Sequence, residues 1–278
     1  LGNGEINIRE TSGSVSGSFG TVLIGRSLGI HQSNAILNDM LLFGVGAGAS
    51  AGNNNTTLGR IGVGYLYTDF QPQVSWTLPE LGNGFAAKVG LFDPKDVAAD
   101  TAANSATDHS APRVEAQITW NGDIPTTGIG VNLWVDGTYQ NTNRTSAQTE
   151  SRRTAAGIDT EHNDVDSAGV GFGTKLSYEG FSLVATGFYA SGLGMRGQHS
   201  VLPIMQTGNA GAAAASTGAL DDDGKERKSY GGYIQGTFDF GQGTNVGYSY
   251  GGNYLRMTGS DMNNLGTSNA NTMHSGMI

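Results

Sequence analysis

The chain has 278 residues and no cysteine, which excludes disulfide scaffolds, thiolate nucleophiles and thiolate metal sites. Its net charge of −9 leaves no basic stripe to meet phosphates, which excludes nucleic acid as a partner. The mean hydropathy of −0.26 resembles that of a soluble chain, but an average is blind to strands that are apolar on one side only. The longest uncharged stretch, residues 41–59, has too few apolar residues in series for a membrane-spanning helix.

Ten segments alternate between polar and apolar residues, which is the pattern of β-strands with one wet face and one apolar face. The predicted strands cover residues 6–16, 20–26, 60–78, 85–93, 113–121, 128–141, 168–178, 181–191, 229–240 and 244–256. Their connections are alternately a few residues and a few dozen residues long. Tight turns at one end and long loops at the other are typical of a transmembrane β-barrel.

The third segment, 60–78, is interrupted by Pro72, and its apolar residues change from odd positions such as Ile61 to even positions such as Val74. A one-residue bulge near Pro72 explains both facts. A hairpin at 68–72 is the alternative, but it would place the loops 27–59 and 94–112 at opposite ends. The bulged strand keeps every long loop on one side and is preferred.

A soluble sandwich also alternates, and there the polar face would be the outer one. Two features favour a barrel, in which the polar face lines a water-filled lumen. The strands are long, and aromatic residues fall near their ends, as interfacial girdles require. These aromatic residues are Tyr67, Trp120, Tyr139, Tyr178, Phe181, Tyr189, Phe238, Phe240 and Tyr254.

Neither terminus has the features of a complete barrel. The start has no basic and apolar leader of a signal peptide, and residues 269–278 have the composition of a polar loop. We therefore expect an internal portion of a longer barrel, because an open sheet edge in lipid leaves backbone groups unsatisfied.

The motifs at residues 7–10 and 17–26, Asn-Ile-Arg-Glu and Gly-Ser-Phe-Gly-Thr-Val-Leu-Ile-Gly-Arg, resemble the Gram-negative general porins. Residues 37–41 and 58–62 resemble the start of that family's third loop and the strand that leaves it. The resemblance implies a single all-β domain over 1–278, an antiparallel up-and-down barrel of 16 strands when complete, with loop 27–59 folded into the lumen.

The same resemblance implies a homotrimer in the outer membrane of a Gram-negative bacterium. Its partners would be outer-membrane lipid, lipopolysaccharide and the small hydrophilic solutes and ions that diffuse through it, and no cofactor is expected.

The family narrows its pore by setting loop carboxylates against wall arginines, which creates a transverse field across the lumen. By motif, Arg9, Arg26 and Arg60 match the wall arginines and Asp39 matches a loop carboxylate. This chain has Leu-Phe-Gly-Val-Gly after Asp-Met-Leu, so Phe43 is expected to narrow the pore by bulk. The alternatives are a rim or subunit contact for the arginines and an ordinary capping role for Asp39.

Charged residues on the polar side of other strands are expected in the lumen wall, where most serve only to keep it wet. They are Lys88, Arg113, Glu115, Asp136 and Lys175.

Three other functions remain open. A solute-selective channel would need a ladder of lumen residues, and Trp134, Phe188 and Tyr233 lie near that side without forming one. A barrel enzyme would need histidine at the rim of the strands, whereas all five histidines fall in predicted loops and none pairs at metal-ligand spacing. We therefore expect no catalytic or metal residue, and solvated roles for His31, His109, His162, His199 and His274.

The third is a soluble β-sandwich binding module, which detergent dependence would separate from a barrel. The run at 221–223, Asp-Asp-Asp, could hold divalent cations but is expected to be a solvated charge run.

Overall fold

A computed structural model describes residues 8–42, 61–97, 106, 108–143, 164–195, 219–221, 224–259 and 271–277 of the chain. These residues contain eleven antiparallel strands and one short helix, α1 (Ser33–Leu37). The strands are β1 (Thr11–Gly17), β2 (Gly20–Leu28), β3 (Phe70–Thr77), β4 (Phe85–Phe92), β5 (Arg113–Ile124), β6 (Ile129–Asn143), β7 (Asp164–Tyr178), β8 (Phe181–Ser191), β9 (Lys228–Asp239), β10 (Asn245–Arg256) and β11 (Asn271–Met277).

All eleven strands form one sheet in which each strand pairs with its neighbours in sequence. The short connections lie at one end and the long ones at the other, so the predicted all-β up-and-down architecture is confirmed. In the described residues β1 and β11 are the two edges and do not pair with each other. No helix in this part of the chain is long and apolar enough to cross a membrane.

The long strand predicted at 60–78 is wrong, as are both accounts of its interruption. The strand begins only at Phe70, and Pro72 lies within it, directly opposite Arg26 and without a break in register. Residues 61–69 form bends instead, because Gly62, Gly64 and Asp69 have positive φ angles of 75°, 88° and 61°.

The polar loop predicted beyond residue 256 is also wrong in part. Residues 271–277 form β11, whose Asn271 lies opposite Leu255 of β10. The sequence of β11 has no alternation of apolar residues. β11 forms because its backbone pairs with the edge of β10, and such pairing leaves no periodic pattern in the sequence.

The two faces of the sheet have the opposite burial to those of a soluble sheet. On one side, the apolar face, large hydrophobic residues are exposed; they include Val74, Trp76, Leu91, Val114, Ile118, Leu133, Val135, Val170, Phe172, Ile234, Phe238, Val246, Tyr248 and Tyr250. On the other side, the polar face, hydrophilic residues are buried; they include Gln71, Gln73, Ser75, Arg113, Glu115, Asp136, Thr138, Gln140, Ser167, Gln235, Ser249 and Asn253. The predicted division of the strands into two faces is thereby confirmed.

Aromatic side chains on the apolar face lie in two rows. Tyr189 and Tyr230 face each other near the long loops, and Phe181 and Phe238 face each other near the short turns. Eight residues separate the rows on each strand, about 27 Å along the strand and less across a membrane when the strand is tilted. Tyr67 is an exception to the predicted girdle, since it packs among buried residues on the polar face.

The polar face is covered by the chain between β2 and β3. We call its described parts the covering segment: an outgoing limb, residues 29–42, and a return limb, residues 61–69. The main apolar core lies between this segment and the sheet and is formed by Ala35, Ile36, Tyr65, Trp134, Val184 and Tyr233.

Candidate functional site

Two carboxylates of the sheet hold the start of the outgoing limb. Glu115 Oε2 of β5 accepts hydrogen bonds from the backbone nitrogens of Ile30 and His31, at 2.7 and 2.9 Å. Asp136 Oδ1 of β6 accepts from the backbone nitrogen of Gln32 at 2.9 Å and lies 2.6 Å from Nδ1 of His31. Both carboxylates are buried, so the backbone donors replace the water that each lost.

Polar groups of β9 hold the end of the same limb. The Tyr233 hydroxyl donates to the carbonyl of Ala35 at 2.7 Å. Gln235 accepts from the backbone nitrogen of Met40 at 2.8 Å and donates to the carbonyl of Asn38 at 2.9 Å. Because four strand spacings of about 4.8 Å separate β5 from β9, the limb extends across much of the polar face.

A buried amide on β10 binds the first half of the return limb. Asn253 Oδ1 accepts from the backbone nitrogen of Gly64 at 2.8 Å, and its Nδ2 donates to the carbonyl of Gly62 at 2.9 Å. The same Nδ2 lies 2.6 Å from the carbonyl oxygen of Met195, in the connection after β8. Asn253 therefore ties the return limb to a second long connection.

Asp39 links the two limbs to each other. It is 4% exposed, its Oδ1 accepts from the backbone nitrogen of Leu41 at 3.0 Å, and its Oδ2 accepts from the Tyr65 hydroxyl at 2.9 Å. Both oxygens are thus used within the covering segment. The carboxylate is buried, and its expected place at the pore constriction stays a prediction.

Arg113 and Glu115 form a buried ion pair on the polar face. Arg113 Nε lies 3.1 Å from Glu115 Oε1, and its Nη2 donates to Gln71 Oε1 of β3. The guanidinium also lies 5.3 Å from the ring centre of Phe92. The pair orients Glu115, whose other oxygen holds Ile30 and His31. Arg113, Glu115 and Asp136 therefore lie on the predicted face but beneath the covering segment.

One of the arginines predicted at the constriction, Arg26, projects from the apolar side of β2, and a second, Arg9, precedes β1. Arg26 is opposite Pro72 and two residues from Ile24, so it projects on the same side as the exposed Val74. Arg9 lies over the ring of Phe70, with its Cζ 5.9 Å from the ring centre. These positions do not set either arginine against Asp39. Phe43 and Arg60 lie outside the described residues.

Lys88 and Lys175 lie on the polar face beyond the covering segment. Lys88 is opposite Thr77 and Gln117, and Lys175 is opposite Asn132. Both are half-buried, and within the described ranges neither donates a hydrogen bond to another residue. Lys175 lines a polar pocket of about 380 Å³ together with Asn121, Asn132, Asp123 and Ser177.

Several residues expected in solvent are buried. His31 is fully buried against Asp136, and Asp221 is fully buried and accepts from the backbone nitrogen of Lys225 at 2.7 Å. Their roles as a solvated loop histidine and a solvated charge are therefore wrong. His109 is paired with Asp96 at 3.0 Å, and the backbone of His274 belongs to β11. His162, His199 and residues 222–223 lie outside the described residues.

The three inward aromatics of the solute-selective alternative are also covered. Trp134 and Tyr233 belong to the core under the limbs. Phe188 packs in a second cluster with Leu66 and Leu193. These three side chains therefore pack against the covering segment and do not line an open path for solutes.

Glycine on the polar face allows the outgoing limb to lie directly on the sheet. A Cβ on Gly171 of β7 would overlap Nε2 of Gln32 and lie 2.7 Å from Asp136 Oδ1. A Cβ on Gly247 of β10 would lie 2.9 Å from the sulfur of Met40. Both distances are too short for a carbon atom, so the side chains of Gln32 and Met40 would have to move away from the sheet.

Sequence reasoning missed the amides that bind the limbs, above all Asn253 and Gln235. Each lies on the polar side of its strand, at a position where alternation alone predicts only contact with water. A sequence feature that could have identified them is an amide side chain beside a glycine in the middle of a strand. Such a side chain has room to hydrogen-bond the backbone of a segment that lies on the sheet.

An ion pair lies beside the return limb, between Lys95 Nζ and Asp69 Oδ2 at 2.7 Å. Burial lowers the pKa of Lys95, and the Asp69 carboxylate opposes that shift. Burial and Asp69 raise the pKa of Tyr67, against the effect of Arg9 and Arg26.

We predict that Asp69→Asn lowers the pKa of Lys95 further, because it removes the main charge that stabilises the ammonium while burial remains. The protein in detergent would be labelled with ¹³C-methyl groups on its lysines and titrated by NMR. Lys225, whose backbone nitrogen donates to Asp221 in a different connection, is the lysine that this substitution should leave unaffected. An unchanged Lys95 titration would contradict the assigned pair.

No protein-family model matches the chain, and no curated protein resembles it in sequence. The fold is similar to the crystal structure of the outer membrane channel DcaP of Acinetobacter baumannii, with a TM-score of 0.54 and 16% sequence identity. The similarity covers 92% of this chain and 59% of that one, so the chain spans about three fifths of the length of the channel. At this identity the likeness concerns the fold: the strands are arranged as in an outer membrane barrel.

Proposed function

We propose that the chain is part of an outer-membrane porin, a water-filled channel for passive diffusion of small hydrophilic solutes and ions. The observation that carries the proposal is the inverted burial of the sheet, with apolar residues exposed and hydrophilic residues buried. In water, an exposed apolar face of this extent would aggregate; in a bilayer it is the face that lipid covers. The fold shared with an outer membrane channel supports the same conclusion.

The covering segment is the proposed constriction of this channel. It lies across the polar face, and its two limbs are fixed by buried polar groups on β5, β6, β9 and β10. A segment held at both ends in this way can narrow a lumen without closing it. The narrowing would arise from backbone and core residues of the segment more than from a row of opposed charges.

The proposal includes the outer membrane of a Gram-negative bacterium as location and a homotrimer as assembly. It assigns no enzymatic activity and no cofactor. The described residues include no group of three or more His, Asp or Glu side chains that could hold a metal ion.

Recordings in planar bilayers test the channel directly. The purified protein should insert in discrete steps, each with ohmic conductance. A protein that is monodisperse without detergent and produces no conductance steps would refute the proposal and favour a soluble sandwich.

We predict that Lys175→Glu shifts the reversal potential in a salt gradient toward cation selectivity. The ammonium of Lys175 faces a polar pocket on the proposed lumen side and has no hydrogen-bond partner in the described residues, so its charge acts on passing ions. The matched control is Lys228→Glu, which makes the same change of charge on the exposed side of β9, where the ammonium donates to the Ser191 hydroxyl at 2.7 Å. An equal shift in both variants would contradict a lumen position for Lys175.

A further inference from the structure

The polar pocket of about 380 Å³ lies on the polar face at the short-turn end of β5, β6 and β7. Residues that lie opposite one another across the three strands form its floor in two rows. The first row is Asn121, Asn132 and Lys175, and the second row is Asp123, Gly130 and Ser177. The two charged residues, Asp123 and Lys175, therefore occupy opposite corners, with their Cα atoms about 12 Å apart from the spacing of strands and residues.

The two charges are not neutralised within the pocket. Asp123 is exposed and Lys175 is half-buried, and they do not form an ion pair with each other. In the part of the chain that the structure describes, neither side chain has a hydrogen bond or an ion pair with another residue. The pocket therefore presents one carboxylate and one ammonium at separate places.

Uncharged polar groups occupy the space between the two corners. Asn132 Nδ2 donates to Asn121 Oδ1, which leaves the Asn121 nitrogen as a donor and the Asn132 oxygen as an acceptor that no other described residue uses. Gly130 has no side chain, and a Cβ there would lie 3.6 Å from Asp123 Oδ1 and 4.0 Å from Cβ of Ser177. The middle of the pocket is thus open and surrounded by hydrogen-bonding groups.

This arrangement of charge indicates which class of ligand suits the pocket. A simple ion is attracted by one corner and repelled by the other. A zwitterion can point its ammonium at Asp123 and its carboxylate at Lys175, and it then forms a charge-assisted hydrogen bond at each end. The volume of the pocket is at the lower end of the range for small-molecule sites, which suits a molecule as small as an amino acid.

We propose that this pocket binds zwitterionic amino acids, with the ligand ammonium at Asp123 and the ligand carboxylate at Lys175. The inference rests on the porin function proposed above, because that function makes the polar face the wall of a lumen that solutes reach. It goes beyond passive diffusion, since a site of this kind binds one class of solute saturably.

Saturation-transfer NMR on the full chain in detergent tests the site, with L-serine as the probe. Two single-charge probes have the same hydroxymethyl group: ethanolamine lacks the carboxylate of serine, and 3-hydroxypropanoate lacks its ammonium. We expect L-serine to bind about tenfold more tightly than either, because each of them loses one charge-assisted contact. Equal affinities for the three probes would overturn the proposal.

Lys175→Gln and Asp123→Asn should each weaken the binding of L-serine about tenfold. The single-charge probes assign the two ends: Lys175→Gln should weaken 3-hydroxypropanoate and spare ethanolamine, and Asp123→Asn should do the reverse. The matched control is Lys88→Gln, which removes a positive charge from the polar face outside the pocket, opposite Gln117. Equal losses of L-serine binding in Lys88→Gln and Lys175→Gln would reduce the effect to general electrostatic attraction and overturn the site.

Conductance in planar bilayers, measured on the same samples, separates this inference from the proposed function. A protein that conducts but binds L-serine no more tightly than the single-charge probes contradicts the amino-acid site alone. A protein that does not conduct contradicts the porin function, and with it the position of the pocket in a lumen.

Discussion

Replacement of Asp136 by alanine should raise the single-channel conductance and lower the stability of the folded protein. The variant removes the acceptor for the backbone nitrogen of Gln32 and the partner of His31 Nδ1, and both groups are buried. An unsatisfied buried donor costs about 1–3 kcal/mol, so detachment of the outgoing limb becomes the less costly state. A detached limb no longer narrows the lumen.

Bilayer recordings measure the conductance, and thermal unfolding in detergent measures the stability. Asp136→Asn keeps an oxygen that can accept from Gln32 and should change conductance less than the alanine variant. Asp166→Ala is the matched control, because this carboxylate lies on the exposed side of β7, where it accepts from the Tyr139 hydroxyl at 2.8 Å. If Asp136→Ala and Asp166→Ala have the same conductance, the carboxylate does not hold a constriction.

The faces of the strands could be predicted because a period of two residues is a local property. In β5, Val114 and Ile118 are exposed while Arg113 and Glu115 are buried, as the alternation indicates. Turn lengths are local as well, and they correctly placed the long connections at one end. These features need no knowledge of what lies on either face.

The return limb could not be predicted, because its conformation depends on residues far away in sequence. Residues 61–67 alternate like a strand, yet Gly64 is bound to Asn253 and Tyr65 packs beside Tyr233. Their apolar side chains are buried against the polar face and not exposed to lipid. Alternation predicts which side chains share a face of the sheet, but it cannot predict which face another segment of the chain covers.

For Arg26 the wrong expectation came from the resemblance to porins, although the alternation of residues in β2 already indicated its side of the strand. Its position in the strand matches that of Val22 and Ile24, which places all three on one side of β2. The motif likeness to porin wall arginines pointed to the lumen instead. The structure agrees with the alternation of residues along β2 and not with the motif, since Arg26 lies opposite the exposed Pro72.

Gly231→Ala should displace the return limb and widen the channel. A Cβ at this position of β9 would overlap Oδ1 of Asn253, lie 2.5 Å from the carbonyl oxygen of Gly252 and lie 2.8 Å from Cε1 of Phe188. The carbonyl oxygen belongs to the backbone of β10 and cannot rotate away, so Asn253 must give up its position. The hydrogen bonds from Asn253 to Gly62 and Gly64 are then lost.

Gly236→Ala on the same strand is the matched control. Its Cβ would meet only ring carbons of Phe181, at 3.8 and 4.0 Å, which is ordinary contact on the apolar face. The control should retain the conductance and size limit for neutral solutes, measured by liposome swelling, while Gly231→Ala admits larger solutes. Since the same small methyl group is added in both variants, a difference between them isolates the close packing beneath the return limb. Equal swelling rates would mean that this limb does not limit the passage of solutes.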